Sequence, residues 1–330
     1  MKAVLGFGEA LIDLLALPPA ADGGAPLFVQ QAGGAPANVT VAAARLGVPS
    51  RFAGMLGRDA FSDFLLRSLV ENGVDVRHVR RTADAPTALA VVALDAQGER
   101  SFSFYRPPAA DLLYRTTHLD AAMFADVGCF HVCSNSLTDE GIAEATLTAM
   151  HRAAAGGALV SFDVNLRPAL WADETAAAPV IWQALQRAAL VKFSRSELSF
   201  VAQARLTSSE AVIGDLLTAQ AQLVLVTDGA EGARWFTRTG QGEQRAFTVQ
   251  ACDTTAAGDA FVGALLAALC RHGLDGDRFA AACAQSELLH PVLRFAAAAG
   301  ALAVTRQGAF AAMPGRDEVE ALLSQQAERA

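Results

Sequence analysis

The stretch Cys252-Asp253-Thr254-Thr255-Ala256-Ala257-Gly258-Asp259-Ala260-Phe261 carries the densest chemical information in the chain. Small residues lead into a helix predicted to start at about Gly258. The first N–H groups of a helix have no intrahelical acceptor and sit at the positive end of its dipole. Such amides can hold developing negative charge on a phosphoryl group, and small side chains let that group approach closely. Asp259, in the first turn, is placed to take a proton from an attacking hydroxyl opposite that charge. A first-turn acid also complements the helix dipole without any catalysis, so on spacing alone the two readings stand level.

Other constellations carry less. Gly6-Phe7-Gly8 begins like a dinucleotide fingerprint, but position 11 is a leucine and no third glycine opens a helix. Cys129, His131 and Cys133 alternate on one face of a predicted strand, where side chains diverge along its length and rarely converge on one metal ion. No G-x-x-x-x-G-K-[ST] run occurs, and neither of the only two lysines, Lys2 and Lys192, follows a glycine. P-loop phosphate binding is thereby excluded.

The elements that must position these groups alternate between short apolar runs and helical patterns. Residues 4–8 read as a strand, 37–46 as a helix stopped at Gly47, 51–55 as a strand and 60–71 as a helix stopped at Gly73. The rhythm resumes with a strand at 127–132, a helix at 139–155 ending in Gly156-Gly157, and strands at 159–162 and 223–226. An α/β fold with a doubly wound, mostly parallel sheet flanked by helices follows. Two segments break the pattern: residues 18–31 are extended and punctuated by Pro and Gly, and 87–105 read as two strands around an Asp95-Ala96-Gln97-Gly98 turn. Both read as antiparallel. Strands interrupting a βα series at two places can meet as a small β-sheet lid over the ligand crevice. No repeat or linker divides the chain, so the expectation is one domain over 1–330, its lid formed from about 17–32 and 87–115.

Composition narrows the partners. Of 330 residues, 52% are hydrophobic and 18% charged, enough apolar surface for a large core. The formal net charge of −8 argues against nucleic acid or an anionic membrane as the main partner. Five scattered cysteines, an odd number, fit a reduced cytoplasmic setting better than a disulfide framework. The apolar start is interrupted by Glu9 and Asp13 and lacks a basic n-region, so it reads as a first strand and not a signal peptide. No apolar run is long enough to span a bilayer.

The run Asp253-Thr254-Thr255-Ala256-Ala257-Gly258-Asp259 resembles the C-terminal signature of the ribokinase-like (PfkB) carbohydrate kinases, with Ala257 where glycine is commoner. Gly33-Gly34-Ala35-Pro36-Ala37-Asn38-Val39 is similar to the family's N-terminal glycine motif, and Gly6-Phe7-Gly8-Glu9-Ala10-Leu11-Ile12-Asp13 to its first strand and sugar-binding aspartate. The similarity continues through Arg106-Pro107-Pro108-Ala109-Ala110-Asp111, Asp163-Val164-Asn165-Leu166-Arg167-Pro168 and Thr305-Arg306-Gln307-Gly308-Ala309, and so covers essentially the whole chain. Within the family, residues 104–113 and 165–171 look most like fructokinases.

The resemblance implies a ribokinase-like fold and an enzyme that transfers the γ-phosphoryl group of Mg·ATP to fructose, giving fructose 6-phosphate. It implies Asp259 as general base and the amides of Ala256, Ala257 and Gly258 as anion hole. Asp13, Gly33, Gly34 and Asn38 would hold sugar hydroxyls, with Asn165, Arg106 and Arg167 reaching the sugar or the transferred phosphate. For the nucleotide the family pattern points to Lys192, Ser194 and Glu197, to Thr227, Gly229 and Gly232, and to the helix around residues 295–299. Ser194 replaces the asparagine of the usual N-x-x-E motif, and Glu197 keeps an indirect link to Mg²⁺. Many members also use a monovalent cation; Asp253, Thr255 and carbonyls near 303–308 would supply its oxygen ligands for K⁺, while Ala312 offers none. Exposed lid edges imply a homodimer. Alternative acceptors are 2-keto-3-deoxygluconate or a riboside. A non-catalytic sugar-binding regulator is the alternative from another class, against which the intact Asp259 argues.

Overall fold

The computed structural model describes residues 1–17, 25, 27–94 and 100–327. Its strands are β1 (Ala3–Phe7), β2 (Leu11–Ala16), β3 (Phe28–Gly33), β4 (Ser50–Gly57), β5 (Val74–Thr82), β6 (Leu89–Leu94), β7 (Arg100–Tyr105), β8 (Val127–Cys133), β9 (Leu159–Asp163), β10 (Leu190–Ser194), β11 (Leu223–Thr227), β12 (Ala233–Phe236) and β13 (Gln241–Gln244). Its helices are α1 (Ala35–Arg45), α2 (Ala60–Glu71), α3 (Glu140–Ala155), α4 (Glu174–Leu185), α5 (Arg195–Ala204), α6 (Ser209–Thr218), α7 (Ala257–His272), α8 (Phe279–Cys283), α9 (Ser286–Ala303) and α10 (Arg316–Ala327).

Nine strands form one sheet in the order β13-β12-β11-β10-β9-β8-β1-β4-β5, parallel throughout except for the β11-β12-β13 edge. The middle strands are buried along their whole length, as near-continuous apolar runs should be in a parallel sheet covered on both faces. Helices α3 to α6 supply the core on one face; α1, α7, α8, α9 and α10 supply it on the other. The strand order reverses between β1 and β8, and the crevice at their C-terminal ends is where α/β sheets bind ligands. The expected alternation is present, with α2 at the predicted bounds, whereas β5, β10, β12 and β13 were not foreseen.

A second sheet has the order β3-β2-β6-β7. Its β2-β3 and β6-β7 pairs are antiparallel and its central β2-β6 pair is parallel. The expected extra strands thus meet in space, although residues 18–24 and 26 and the turn at 95–98 lie outside the described residues. The single first strand expected at the N-terminus is instead two. Gly8, at φ +144°, lies between them, where a Cβ would sit 2.3 Å from Ser136 Oγ, and β2 then enters the small sheet. The small sheet also stops earlier than the expected 115, since Ala110, Leu112 and Tyr114 pack in the main core, Tyr114 edge-on to Phe7 at 5.0 Å.

All five cysteines are free thiols. Cys129 Sγ meets Cys270 Sγ at 3.5 Å, while His131 lies between Ser161 Oγ at 3.1 Å and Cys133 Sγ at 3.4 Å. Burial pushes the His131 imidazole down to about 3, with Lys192 adding to the effect, so it is neutral. Among the described residues no group of three or more His, Cys, Asp or Glu is arranged to hold a metal ion, and no helix is long and apolar enough to cross a membrane.

Candidate active site

Two helices bring the central pair together. A Cβ on Gly263 of α7 would lie 2.5 Å from Ala42 Cβ and 2.7 Å from the Val39 carbonyl of α1, so only glycine permits this close crossing. Asn38 Nδ2 of α1 consequently donates to Asp259 Oδ2 of α7 at 2.7 Å. Asp259 is 8% exposed. Burial pushes its carboxyl up to about 6 against the Asn38 hydrogen bond and the charges of Arg167 and Lys192, with Asp163 adding to the rise.

The helix start has the expected form with one refinement. Ala256 precedes α7 in the left-handed region at φ 57°, an unusual place for a residue with a Cβ. Ala257 N–H closes a long turn to the Thr254 carbonyl at 3.4 Å, and Ala260 N–H makes the first helical bond, to Ala256 O at 2.8 Å. The amides of Gly258 and Asp259 therefore fall between the turn and the first helical bond, Gly258 belonging to the expected trio of 256 to 258 and Asp259 lying just beyond it.

Asp259 lines two cavities. The larger, about 880 Å³, is also lined by Asp13, Gly34, Asn38, Arg106, Asn165 and Arg167. The smaller, about 490 Å³, is also lined by Asn165, Arg167, Lys192, Ser194, Glu197 and Thr227, and by the α7 start from Ala256 to Gly258. Asn165, Arg167, Thr254 and Ala256 are common to both, so the cavities meet at the carboxylate.

On the larger side, a Cβ on Gly33 would lie 2.3 Å from Asp13 Oδ2, and one on Gly34, at φ +105°, 2.5 Å from the Glu9 carbonyl. Gly34 is thus required by the close passage of the chain, whereas the absence of a side chain at Gly33 leaves room for the Asp13 carboxylate. Burial pushes Asp13 up to about 6 as well, Arg167 opposing and Asp253 adding. Arg106 lines this cavity with its charge already paired. It is 4% exposed, and its guanidinium is engaged by Asp111 Oδ2 at 2.7 Å and the Asn135 carbonyl at 2.7 Å. Arg167 is exposed and donates to the adjoining Leu166 carbonyl at 3.2 Å.

On the smaller side, Lys192 Nζ grips both oxygens of Asp163, at 2.8 and 2.9 Å. Burial disfavours its charge, but Asp163 and Glu197 outweigh this and raise its pKa, so it stays cationic. Ser194 and Glu197 form a capping box at the start of α5. Both Glu197 oxygens accept backbone N–H groups, from Leu166 at 2.9 Å and Ser194 at 2.6 Å, making it a brace between β9 and β10. Thr227 ends β11 and donates to the Phe193 carbonyl at 3.2 Å. The remaining nucleotide expectations fall apart from this cavity. Gly229 and Gly232 shape the turn after β11, Asp228 pairs with Arg195, and Phe295, Ala296, Ala298 and Ala299 of α9 are packed in the core.

Asp253 ties the loop before α7 to the C-terminal segment, accepting from Thr255 N–H at 2.8 Å and Gly308 N–H at 3.0 Å. Sequence reasoning assigned no role to Glu9, Asn135 or Asp163, although Glu9 and Asp163 stand inside runs that carried the family resemblance. Each is buried and polar at the end of a central strand, a combination that only the folded sheet reveals.

Known proteins share this fold. The pattern of the pfkB family of carbohydrate kinases matches residues 1–316. A probable fructokinase-4 from Arabidopsis thaliana is 40% identical over 324 residues, 97% of this chain and 96% of that one. A fructokinase from Xylella fastidiosa with bound ATP superimposes with a TM-score of 0.95 at 52% identity, covering 99% of each chain. The Vibrio cholerae O395 fructokinase in its fructose, ADP and calcium bound form gives 0.82 at 32% identity over 98% of this chain and 99% of that one. The ribokinase-like architecture, the shared carboxylate and the match along the chain converge, and the protein belongs to the pfkB family of carbohydrate kinases.

Proposed function

We propose that this carbohydrate kinase phosphorylates fructose with ATP. The observation that carries the reading is Asp259, a buried carboxylate lining both cavities at the start of a helix. Fructose occupies the larger cavity, its hydroxyls held by Asp13, Asn38 and the backbone at Gly33 and Gly34. The triphosphate end of ATP occupies the smaller one. Asp259 takes the proton of the 6-hydroxyl, the resulting oxygen bonds to the γ-phosphorus, and the bond to the bridging β–γ oxygen breaks to release ADP. The α7 amides and Lys192 stabilise the charge that develops on the transferred group. A divalent cation carried with the nucleotide neutralises phosphate charge; Asp163 and Glu197 are the carboxylates besides Asp259 that line this cavity, and Glu197, both oxygens already engaged, fits contact through water. A potassium ion at Asp253 and Thr255 would brace the loop that starts α7.

The small sheet acts as a lid over the sugar. Its edge strands β3 and β7 expose Phe28, Val29 and Tyr105, which supports pairing with a second copy of the chain. Light scattering at micromolar concentration tests the pairing, and a monomer removes it. For the reaction, purified enzyme is given ATP with fructose or 2-keto-3-deoxygluconate at equal concentration and the product is identified. Fructose 6-phosphate is expected to dominate; a higher kcat/KM for the keto acid overturns the substrate assignment while leaving the kinase chemistry intact.

A further inference from the structure

Four crossings join the small sheet to the body: residues 8–10 between β1 and β2, Gly34 between β3 and α1, Thr87 and Ala88 before β6, and Arg106 after β7. Thr87 is held separately by Asp59, through its N–H and its hydroxyl, both at 2.8 Å. The other three crossings meet in one buried network. Glu9 is 1% exposed, and its Oε1 accepts from Ala35 N–H at the start of α1 at 3.3 Å and from Asn135 Nδ2 at 3.0 Å. The Asn135 carbonyl accepts from Arg106 Nη2 at 2.7 Å, and Arg106 closes on Asp111 and on Thr138 Oγ1 at 3.3 Å. One arginine thus lies between two buried carboxylates, an arrangement costly to desolvate and costlier still to leave with one member missing. Among the buried acceptors left without a partner are Glu9 Oε2, Asn135 Oδ1 and Asp111 Oδ1 of this network, the first two on residues lining the larger cavity.

We propose that Glu9 and Arg106 are positioning residues, which lock three crossings of the small sheet to one another and so hold the N-terminus of α1, and with it Asn38, in register with Asp259. Neither transfers a proton or a phosphoryl group. The chain of contacts runs from the end of β7 through Arg106, Asn135 and Glu9 to Ala35, and along one turn of α1 to Asn38 and Asp259. The catalytic consequence rests on the reading of Asp259 as the base.

The test compares wild type with Glu9→Gln and Arg106→Lys, which keep size or charge, and with Glu9→Ala and Arg106→Met. Steady-state kinetics and hydrogen exchange of the peptides spanning 33–38 are measured well below each melting temperature. The truncated variants are expected to lose roughly 10- to 100-fold in kcat, the scale of a misplaced reacting group, with the KM for ATP unchanged. Glu9→Gln and Arg106→Lys should recover part of that loss, and exchange at 33–38 should rise more than elsewhere. Unchanged kcat in folded variants overturns the proposal, as does exchange that rises uniformly over the chain. A wild type that does not phosphorylate fructose would overturn the substrate reading instead, and exchange at 33–38 would still decide whether the network holds α1.

Discussion

The two cavities that meet at Asp259 are built on different principles. The larger is assembled where the chain passes between two sheets, from glycines that allow close passage and a buried polar network that fixes the crossings. The smaller is assembled from elements that stay with the main sheet: the ends of β9, β10 and β11 and the starts of α5 and α7. With the small sheet in its proposed role as a lid, a site of the first kind suits the sugar, whose arrival must be covered. A site of the second kind is held by the rigid sheet and suits the phosphates, which need fixed dipoles at a fixed place.

The boundary residue should give the largest effect. Asp259→Asn keeps shape but takes no proton, and kcat is expected to fall roughly 10²- to 10⁴-fold with the KM for ATP nearly intact. Near-normal turnover would remove the role and with it the division between the cavities. Next come Asp13→Ala and Asn38→Ala, which should raise the KM for fructose about 10- to 100-fold, the scale of hydrogen bonds to charged groups, and that for ATP far less. If the ATP value responds more, the two cavities have been assigned backwards. Ser194→Ala should show the reverse bias at smaller size. It removes the cap of α5, worth about 1 kcal/mol, and should raise the KM for ATP a few-fold while leaving fructose alone.

The smallest effect concerns stability. Burial raises the Asp259 carboxyl to about 6 from an ordinary value near 3.8, so between those pH values the folded chain holds a proton that the unfolded chain has lost. Its contribution to stability therefore falls as pH rises through that window, and the penalty is complete above about 6. Asp259→Asn is expected to melt a few degrees higher than wild type at pH 8, with the difference vanishing at pH 4, by calorimetry. A variant less stable at pH 8 would mean that the Asn38 hydrogen bond to the carboxylate outweighs its burial.

Much of this was legible in the sequence because it is local. The βα alternation, the small residues before Gly258 and the glycine at 34 each write a backbone requirement into neighbouring positions, and the folded chain shows each one. What was not legible is long in sequence and short in space. The partners of Arg106 are of this kind, since nothing nearby announces Asn135, 29 residues on, whose carbonyl it binds. The hydrogen bond from the Asn38 amide to Asp259 likewise spans 221 residues, and no local pattern announces it. Strand β2 is hidden for a different reason: the apolar run from 3 to 16 holds only Gly6 and Gly8 as turn signals, and the positive φ of Gly8 that separates β1 from β2 shows only in the folded chain.

The central claim, that a buried Asp259 is the base, is tested most directly by kcat/KM for fructose from pH 5 to 8 in wild type and in Asp259→Asn. Two carboxyls, Asp259 and Asp13, are raised to about 6 and both must be ionised, one to take the proton and one to hold the sugar. In wild type the acid limb should therefore steepen toward a two-proton dependence below that pH, and in Asp259→Asn the residual rate should keep only the one-proton limb of Asp13. The same steepness in both enzymes would contradict the assignment of Asp259.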